Sequence, residues 1–248
     1  MKIYISASVH NILEEPREVQ VAIAQDPTTY PEILEELATL DDPGLCMIIA
    51  ENPNTPESVL LSFLDKYSDI GFSSSKSIYR AIARNTNASV NVLKELSEYP
   101  EESIRGYVAE NPNTPIAILY ELADDDYSDV RFQLTENPNL PFGIVELLAD
   151  DSDSDIRSEI ADRNDLTEEL IEKLSKDKVD IVRWSIASNS LTKPEILDRM
   201  ADDSAWKICW EIARNPNTSI STLKKLANHP MSRVREQAEK GLSAHTGA

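Results

Sequence analysis

Residues 109–115 read Ala-Glu-Asn-Pro-Asn-Thr-Pro, and this phrase returns along the chain. It recurs unchanged at residues 50–56 and with small changes at 135–141 and 213–218. The first residue of each phrase, here called the marker residue, stands at positions 24, 50, 83, 109, 135, 161, 187 and 213. Six of the seven spacings are 26 residues, and the remaining one is 33. The chain is therefore built from about eight 26-residue repeats with one seven-residue insertion.

Apolar residues follow the same period and predict two helices in each repeat. Ile104 and Val108, which stand five and one residues before their marker residue, are four apart and share one helical face. Ile118 and Leu122 stand nine and thirteen residues after it and predict a second helix. The Asn-Pro turn separates the two helices, and Thr114-Pro115, like Thr55-Pro56, predicts an N-cap followed by proline at the first helical position.

Helices this short are not stable alone in water, so each repeat must stack on its neighbours. We therefore expect an all-α fold, an α-solenoid forming a single domain. Residues 1–18 are expected to form an N-terminal cap and residues 241–248 a C-terminal tail. The solenoid itself is expected to span residues 19–240, with an inserted loop near 66–76.

The repeat, which runs from Asp129-Val130-Arg131 through Asn137-Pro138-Asn139 to Leu147-Leu148-Ala149, resembles the leucine-rich repeat variant family and is similar in style to HEAT-like repeats. The resemblance implies a right-handed superhelix in which α-helices alternate with 3₁₀ helices; α/α alternation is the other reading. Some members add a cysteine-rich iron–sulfur segment, but Cys46 and Cys209 are too few to hold a cluster. We expect no metal and no cofactor. The resemblance implies a binding scaffold and names no partner.

Two polar series recur in register and are expected to be structural. Arginine stands four residues before the marker residue and is expected to pair with a neighbouring aspartate or to cap carbonyl groups; the series comprises Arg105, Arg131, Arg157 and Arg183. Asparagine stands two residues after it and is expected to hydrogen-bond the turn backbone; the series comprises Asn52, Asn111, Asn137, Asn189 and Asn215. The surrounding acid disfavours reading the arginines as a phosphate-binding stripe.

A third position carries large aromatic side chains and gives the candidate binding site. Phe132, Trp184 and Trp210 stand three residues before the marker residue, roughly opposite the core stripe, and Trp206 lies nearby. Such a strip is a candidate hot spot for a protein partner, or alternatively covers gaps between repeats. Tyr67 and Phe72, in the insertion, are further candidate contacts, although a simple tolerated loop fits equally well.

The composition narrows the classes of function. The chain of 248 residues has 44 acidic and 24 basic side chains, a formal charge of −20. This charge argues against nucleic acid and against an anionic membrane surface. The sequence has no Gly-rich phosphate loop, no Ser/His/Asp or Cys/His set, and no apolar run of signal-peptide or membrane-spanning length. We expect no enzymatic activity and a cytoplasmic location.

The first functional hypothesis is a non-enzymatic protein-interaction scaffold with an acidic superhelical binding surface. Its partner would be a basic or amphipathic protein, and the scaffold itself a monomer or weak dimer. The alternative is an acidic inhibitor or immunity-type protein that mimics nucleic acid and occludes a basic target. A HEAT-like nucleic-acid enzyme is a third reading, which the −20 charge disfavours.

Overall fold

The computed structural model describes residues 11–67 and 73–246. Within these ranges it contains one 3₁₀ helix, 17 α-helices and no β-strand, so the all-helical prediction is confirmed. The chain divides into two compact units, Met1–Leu140 and Pro141–Ala248. Each unit has its own set of fully buried aliphatic side chains.

The first unit holds the 3₁₀ helix Ile12–Glu14 and nine α-helices, with the first helix of each repeat odd-numbered and the second even-numbered. They are α1 (Arg17–Gln25), α2 (Pro31–Leu37), α3 (Pro43–Glu51), α4 (Glu57–Lys66), α5 (Ser73–Arg84), α6 (Val90–Ser97), α7 (Glu102–Glu110), α8 (Ile116–Leu122) and α9 (Ser128–Thr135). Consecutive odd-numbered helices pack against one another from α1 to α9, and α6 packs against α8. This consecutive packing is compatible with a helical repeat.

The second unit holds eight α-helices with the same alternation. They are α10 (Phe142–Leu148), α11 (Ser154–Asp162), α12 (Glu168–Leu174), α13 (Asp180–Ser188), α14 (Pro194–Met200), α15 (Trp206–Arg214), α16 (Ile220–Leu226) and α17 (Ser232–Thr246). Here α11 packs on α13, α13 on α15, and α15 on α17. Each even-numbered helix from α12 to α16 also contacts an adjacent odd-numbered helix.

The apolar positions that recur in the sequence form the cores of both units. Ile104 and Val108 of α7 are fully buried, and Ile118 and Leu122 of α8 are nearly so. The second helices are α-helical rather than 3₁₀: the backbone N–H after α8, that of Ala123, donates to the carbonyl oxygen four residues earlier at 3.0 Å. The α/α reading of the repeat therefore describes these helices. Most second helices have seven or eight residues, so they depend on packing for stability.

The predicted N-cap at the Thr-Pro pairs is wrong. Pro115 is the N-cap residue of α8, and that helix has no side-chain capping bond. The hydroxyl of Thr114 instead donates to the carbonyl oxygen of Val108, near the end of α7. The last carbonyl groups of a helix have no partner within it, and the threonine satisfies one of them. The same bond is made by Thr29, Thr55, Thr192 and Thr218.

Two segments predicted as loop or tail contain helix. In the insertion, α4 continues to Lys66 and α5 begins at Ser73, because no proline or glycine interrupts residues 73–76. At the C-terminus, α17 continues through Thr246, anchored by the buried side chains of Val234 and Ala238. The predicted tail from residue 241 is therefore mostly helical. The prediction of a single continuous solenoid domain stays a prediction.

Candidate functional site

An asparagine two residues after the marker residue joins consecutive repeats. Asn111 Nδ2 donates to the carbonyl oxygens of Ala83 (2.6 Å) and Asn85 (3.1 Å) in the preceding repeat. Asn111 Oδ1 accepts the backbone N–H of Asn113 in its own turn at 2.9 Å. Because Asn111 is only 2% exposed, these bonds are shielded from water. The asparagine ladder with this geometry comprises Asn52, Asn85, Asn111, Asn137, Asn189 and Asn215.

Asn85 is a member of the asparagine ladder that was not predicted from the sequence. Its phrase reads Asn85-Thr86-Asn87 and lacks the proline that marks most of the other turns. Asn85 Nδ2 donates to the carbonyl oxygens of Ala50 (2.7 Å) and Asn52 (2.8 Å). Asn85 is recognised in the sequence by its position two residues after the marker residue, and not by an Asn-Pro pair.

The residue four before the marker residue binds the turn that follows the preceding second helix. Arg157 Nη1 donates to the carbonyl oxygen of Asp151 at 2.7 Å, six residues earlier and just beyond the end of α10. The same six-residue relation is kept by Arg105, Arg131, Arg183 and Arg235. Each guanidinium group thus satisfies a backbone carbonyl group of the turn with a charge-assisted hydrogen bond.

Three of these arginines also bind an aspartate in the turn that joins their repeat to the next one. Arg157 Nε and Nη2 donate to the two carboxylate oxygens of Asp177 at 2.7 and 3.0 Å, and these side chains are 6% and 11% exposed. Burial raises the pKa of Asp177, but the bonds from Arg157 and from the Val179 amide lower it more, so the pKa lies below its ordinary value. Arg105–Asp125 and Arg183–Asp203 repeat this arrangement.

Cysteine or tyrosine replaces the arginine in some repeats and keeps a contact with a carbonyl group. Cys209 Sγ lies 3.4 Å from the carbonyl oxygen of Asp203, and the Tyr79 hydroxyl donates to that of Leu64 at 2.8 Å. Burial raises the pKa of Cys209 to about 11 and also raises that of Cys46. Both thiols are buried and unpaired in disulfides. They are therefore protonated packing groups, because reactivity requires the thiolate.

The three tryptophans predicted for the aromatic strip lie on adjacent helices of the second unit and are partly exposed. Trp206 and Trp210 share one face of α15. The guanidinium group of Arg214 lies 4.8 Å from the ring centroid of Trp210, and that of Arg233 lies 5.8 Å from that of Trp206. Such stacked cations hold the rings while leaving part of each ring open to solvent.

Trp184, on α13, opens onto a cavity of about 350 Å³ between α13 and α15. The cavity is also lined by Asp180, Ile181, Ala205, Lys207 and Ile208. Its walls combine apolar surface with one carboxylate and one ammonium group. It is therefore suited to an apolar side chain from a charged segment.

The aromatic character of the position three residues before the marker residue varies from one repeat to the next. Phe132, on α9 of the first unit, is partly exposed. Ser158, at the equivalent position of the next repeat, is buried, with its hydroxyl 3.0 Å from that of Ser185. The aromatic character of the position therefore does not continue through every repeat.

Tyr67 is partly buried against the first unit. Its ring meets Phe63 edge-on at 6.3 Å between centroids, and its hydroxyl lies 3.5 Å from Cys46 Sγ. Lys66 Nζ lies 5.5 Å from the ring centroid. These contacts give Tyr67 a packing role. Phe72, the other candidate in the insertion, lies outside the described residues.

The second helices of the first unit carry an exposed apolar row that was not predicted from the sequence. Val90 and Ile116 begin α6 and α8, seven residues after their marker residues, and are 58% and 60% exposed. Tyr120, one turn after Ile116, is 44% exposed. We call Val90, Ile116 and Tyr120 the apolar row. Helix-initiating positions are usually polar or proline, so an aliphatic residue there was the available signal.

The surroundings of the apolar row are acidic. Glu95 on α6 and Glu121 on α8 are exposed, and Lys94 is the basic residue one turn after Val90. Residues 1–140 carry 24 acidic and 9 basic side chains, a formal charge of −15. A partner with both apolar and basic groups would match this surface.

The second helices of the second unit present an open groove with ion-paired walls. Lys193 Nζ binds Glu168 at 2.6 Å, and Arg199 binds Glu172, so both carboxylates have cationic partners. The groove is lined by Thr167, Glu168, Glu169, Glu172, Lys193, Glu195, Ile196 and Arg199. Within residues 11–67 and 73–246, no three His, Cys, Asp or Glu side chains are placed to hold a metal ion.

No protein-family model and no curated protein sequence matches this chain. None of the helices in the described part of the chain has the length and apolar character needed to cross a lipid bilayer.

Proposed function

We propose that this protein is a non-enzymatic protein–protein interaction scaffold, an eight-repeat α-solenoid of the leucine-rich repeat variant, HEAT-like type with a right-handed superhelical twist. It would act in the cytoplasm as a monomer or weak dimer and bind a basic or amphipathic protein through an acidic surface. The recurrent asparagine and arginine side chains support this proposal, because they hydrogen-bond to backbone carbonyl groups and to aspartate side chains within the protein. They are therefore structural, and exposed side chains outside these hydrogen bonds are the candidates for binding a partner.

The apolar row is the observation that carries the proposal. Val90, Ile116 and Tyr120 are exposed on neighbouring helices, and a group of exposed apolar side chains rimmed by polar residues is typical of a protein interaction site. An amphipathic helix of a partner packs its apolar face against exposed apolar side chains of this kind. The negative charge of the unit favours lysine and arginine on the polar face of that helix.

An acidic inhibitor or nucleic-acid mimic is the alternative, favoured by the −20 charge alone. It differs from the scaffold in how binding depends on the partner. A mimic binds by charge pattern, so the arrangement of apolar residues in the partner has little effect. A scaffold with apolar anchors requires leucine and lysine on opposite faces.

The test is calorimetric titration of the full chain with a leucine–lysine peptide about five helical turns long, amphipathic in one version and scrambled in the other. We expect the amphipathic peptide to bind at least about tenfold more tightly than the scrambled one. The double variant Val90→Ser and Ile116→Ser should lose that difference. Both sites are exposed, so the fold should be retained, as circular dichroism will check.

Ile220→Ser is the matched control, because Ile220 also begins a second helix and is 46% exposed. It lies in the second unit and should leave the affinity unchanged. Equal binding of both peptides to the native chain would contradict the scaffold proposal and favour the acidic mimic.

A further inference from the structure

The charge of this chain is unevenly distributed along the sequence. Residues 1–204 carry 41 acidic and 17 basic side chains, a formal charge of −24. Residues 205–248 carry 7 basic and 3 acidic side chains, a formal charge of +4. The last 44 residues are thus locally basic in a strongly acidic protein. Trp206 and Trp210 lie within this basic segment, and Trp184, the third tryptophan of the chain, lies on α13, which packs against α15.

Two cations beside the tryptophans are not used in ion pairs. Lys207 lines the cavity next to Trp184, and Arg233 lies over the ring of Trp206. Within residues 11–67 and 73–246, neither forms an ion pair with a carboxylate, and both are exposed. Most other exposed cations of the second unit are paired: Lys173 with Asp150, Lys193 with Glu168, and Lys225 with Asp202.

The acidic groups at the same surface are few. Glu211 is 6% exposed and is bound by Arg214 at 3.2 Å, so its charge is compensated. Asp180 lines the cavity beside Trp184. The cations of Lys207 and Arg233 therefore face solvent next to partly exposed aromatic rings.

We propose that the tryptophan patch, formed by Trp184, Trp206, Trp210, Lys207 and Arg233, binds an acidic segment of a partner protein that carries an aromatic or aliphatic anchor. The anchor enters the cavity between α13 and α15 against Trp184 and Ile181. Carboxylates beside the anchor bind Lys207 and Arg233. This surface and its partner are separate from the apolar row, so the protein joins a basic partner on one unit and an acidic partner on the other.

Charge and shape favour a protein segment over a nucleic acid. Aromatic rings with cations can stack bases, but binding phosphates needs a longer basic track. Among the described residues, the tryptophans are flanked by two cations without an ion pair, Lys207 and Arg233, and the charge of residues 1–204 repels a polyanion. A short segment with a few carboxylates around one apolar anchor meets less repulsion.

The experiment uses intrinsic tryptophan fluorescence of the full chain, because every tryptophan lies in the patch. The probe is a synthetic peptide of aspartate and glutamate around one phenylalanine and one leucine. We expect saturable binding that weakens with salt, and binding at least about tenfold weaker when the two apolar residues of the peptide are serine. The double variant Lys207→Glu and Arg233→Glu should also bind at least about tenfold more weakly.

The matched control is Lys224→Glu with Lys225→Glu, which reverses the same number of charges in the same basic segment but on α16. It should bind the peptide within about twofold of the native chain. Equal losses in the two double variants, or no saturable binding to the native chain, overturn the proposal. Tighter binding of a single-stranded oligonucleotide than of the peptide also overturns it.

The apolar-row variant Val90→Ser with Ile116→Ser separates this proposal from the proposed function. It should bind the acidic peptide as the native chain does. Failure of basic-peptide binding together with retained acidic-peptide binding would then reject the apolar row alone, and the reverse result would reject the tryptophan patch alone.

Discussion

Asparagine at the second position after the marker residue does two things at once. In Asn111, the side-chain oxygen Oδ1 accepts a backbone N–H of its own turn. Its side-chain Nδ2 donates to two backbone carbonyl oxygens of the preceding repeat. Aspartate has nearly the same shape but offers no donor, so its oxygens would face two carbonyl oxygens. The repeat therefore depends on the amide group and not on a polar side chain in general.

Asn111→Asp should lower the free energy of unfolding by about 3 kcal/mol, because two buried acceptors lose their donor and a carboxyl group is buried. Urea titration followed by circular dichroism measures it. Asn91→Asp is the control, since Asn91 is exposed on α6, and it should change the value by less than about 0.5 kcal/mol. Similar losses in the two variants would show that the ladder bonds contribute little.

Arg157 binds both a backbone carbonyl group in the turn after α10 and the carboxylate of Asp177. Arg157→Met should cost about 3 kcal/mol, since Asp177 and the carbonyl group of Asp151 lose their donors in a buried setting. Arg199→Met removes an exposed pair with Glu172 and should cost about 0.5 kcal/mol. Equal costs, measured by urea unfolding, would contradict the assigned role of burial.

At the scale of the element, substitution of a glycine by alanine tests how tightly neighbouring helices pack. A Cβ atom at Gly106 in α7 would meet Gln133 Cγ at 3.2 Å, and the long Gln133 side chain can move. At Gly241 in α17 it would meet Leu223 Cδ2 at 2.9 Å and the carbonyl oxygen of Ala213 at 3.2 Å. The backbone carbonyl at the second site cannot move without shifting α15.

Gly106→Ala should therefore raise the free energy of unfolding by about 0.5 kcal/mol, because alanine favours helix more than glycine does. Gly241→Ala should lower it by about 1 kcal/mol, because overpacking outweighs that preference. Thermal unfolding of the two variants beside the native chain gives the signs. A stabilising Gly241→Ala would mean that α17 packs more loosely than the structure has it.

The helices could be predicted from the sequence because the apolar residues recur at helical spacing, and adjacent ones such as Ile118 and Leu119 break the alternation expected of a strand. The role of Thr114 could not, because a hydroxyl group can accept from an amide or donate to a carbonyl with equal ease. Which of these happens depends on the path of the turn. The exposure of Ile116 was hidden for a similar reason: an apolar residue at a helix start is buried or exposed according to the neighbouring repeat.

At the scale of the whole molecule, acid should destabilise the protein through the inter-repeat pairs. Burial raises the pKa values of Asp125, Asp177 and Asp203, but hydrogen bonds from arginine and from backbone amides lower them more, so each folded pKa lies below the ordinary value of 3.8. A lowered folded pKa contributes stability above the unfolded pKa. That contribution is lost as the pH falls below 3.8 through the folded pKa.

The free energy of unfolding of the native chain should thus fall as the pH is lowered from about 5 to about 3. In Asp177→Asn the fall should be shallower by up to about 1.4 kcal/mol per pH unit, because one fewer proton is taken up on unfolding. Urea titrations at several pH values measure both slopes. Identical slopes for the native chain and Asp177→Asn would show that Asp177 does not contribute to the loss of stability in acid.

The two units also differ in what they offer a partner. Residues 1–140, at −15, carry the apolar row, and residues 205–248, at +4, carry most of the tryptophan patch. The second unit as a whole, residues 141–248, carries 20 acidic and 15 basic side chains, a formal charge of −5. Long-range charge would therefore bring a basic partner to the first unit more strongly than to the second. The interaction role of the protein therefore depends on which exposed side chains are covered when a partner binds.

Methyl NMR spectroscopy of the full chain, titrated with the amphipathic leucine–lysine peptide, tests most directly whether the apolar row is a protein-binding surface. Val90, Ile116 and Ile220 occupy the same register at the starts of second helices and are all exposed. We predict that the methyl signals of Val90 and Ile116 shift as the peptide saturates the protein while those of Ile220 stay in place. Uniform small shifts at all three residues, or none at Val90 and Ile116, would contradict the claim that the apolar row is a protein-binding surface.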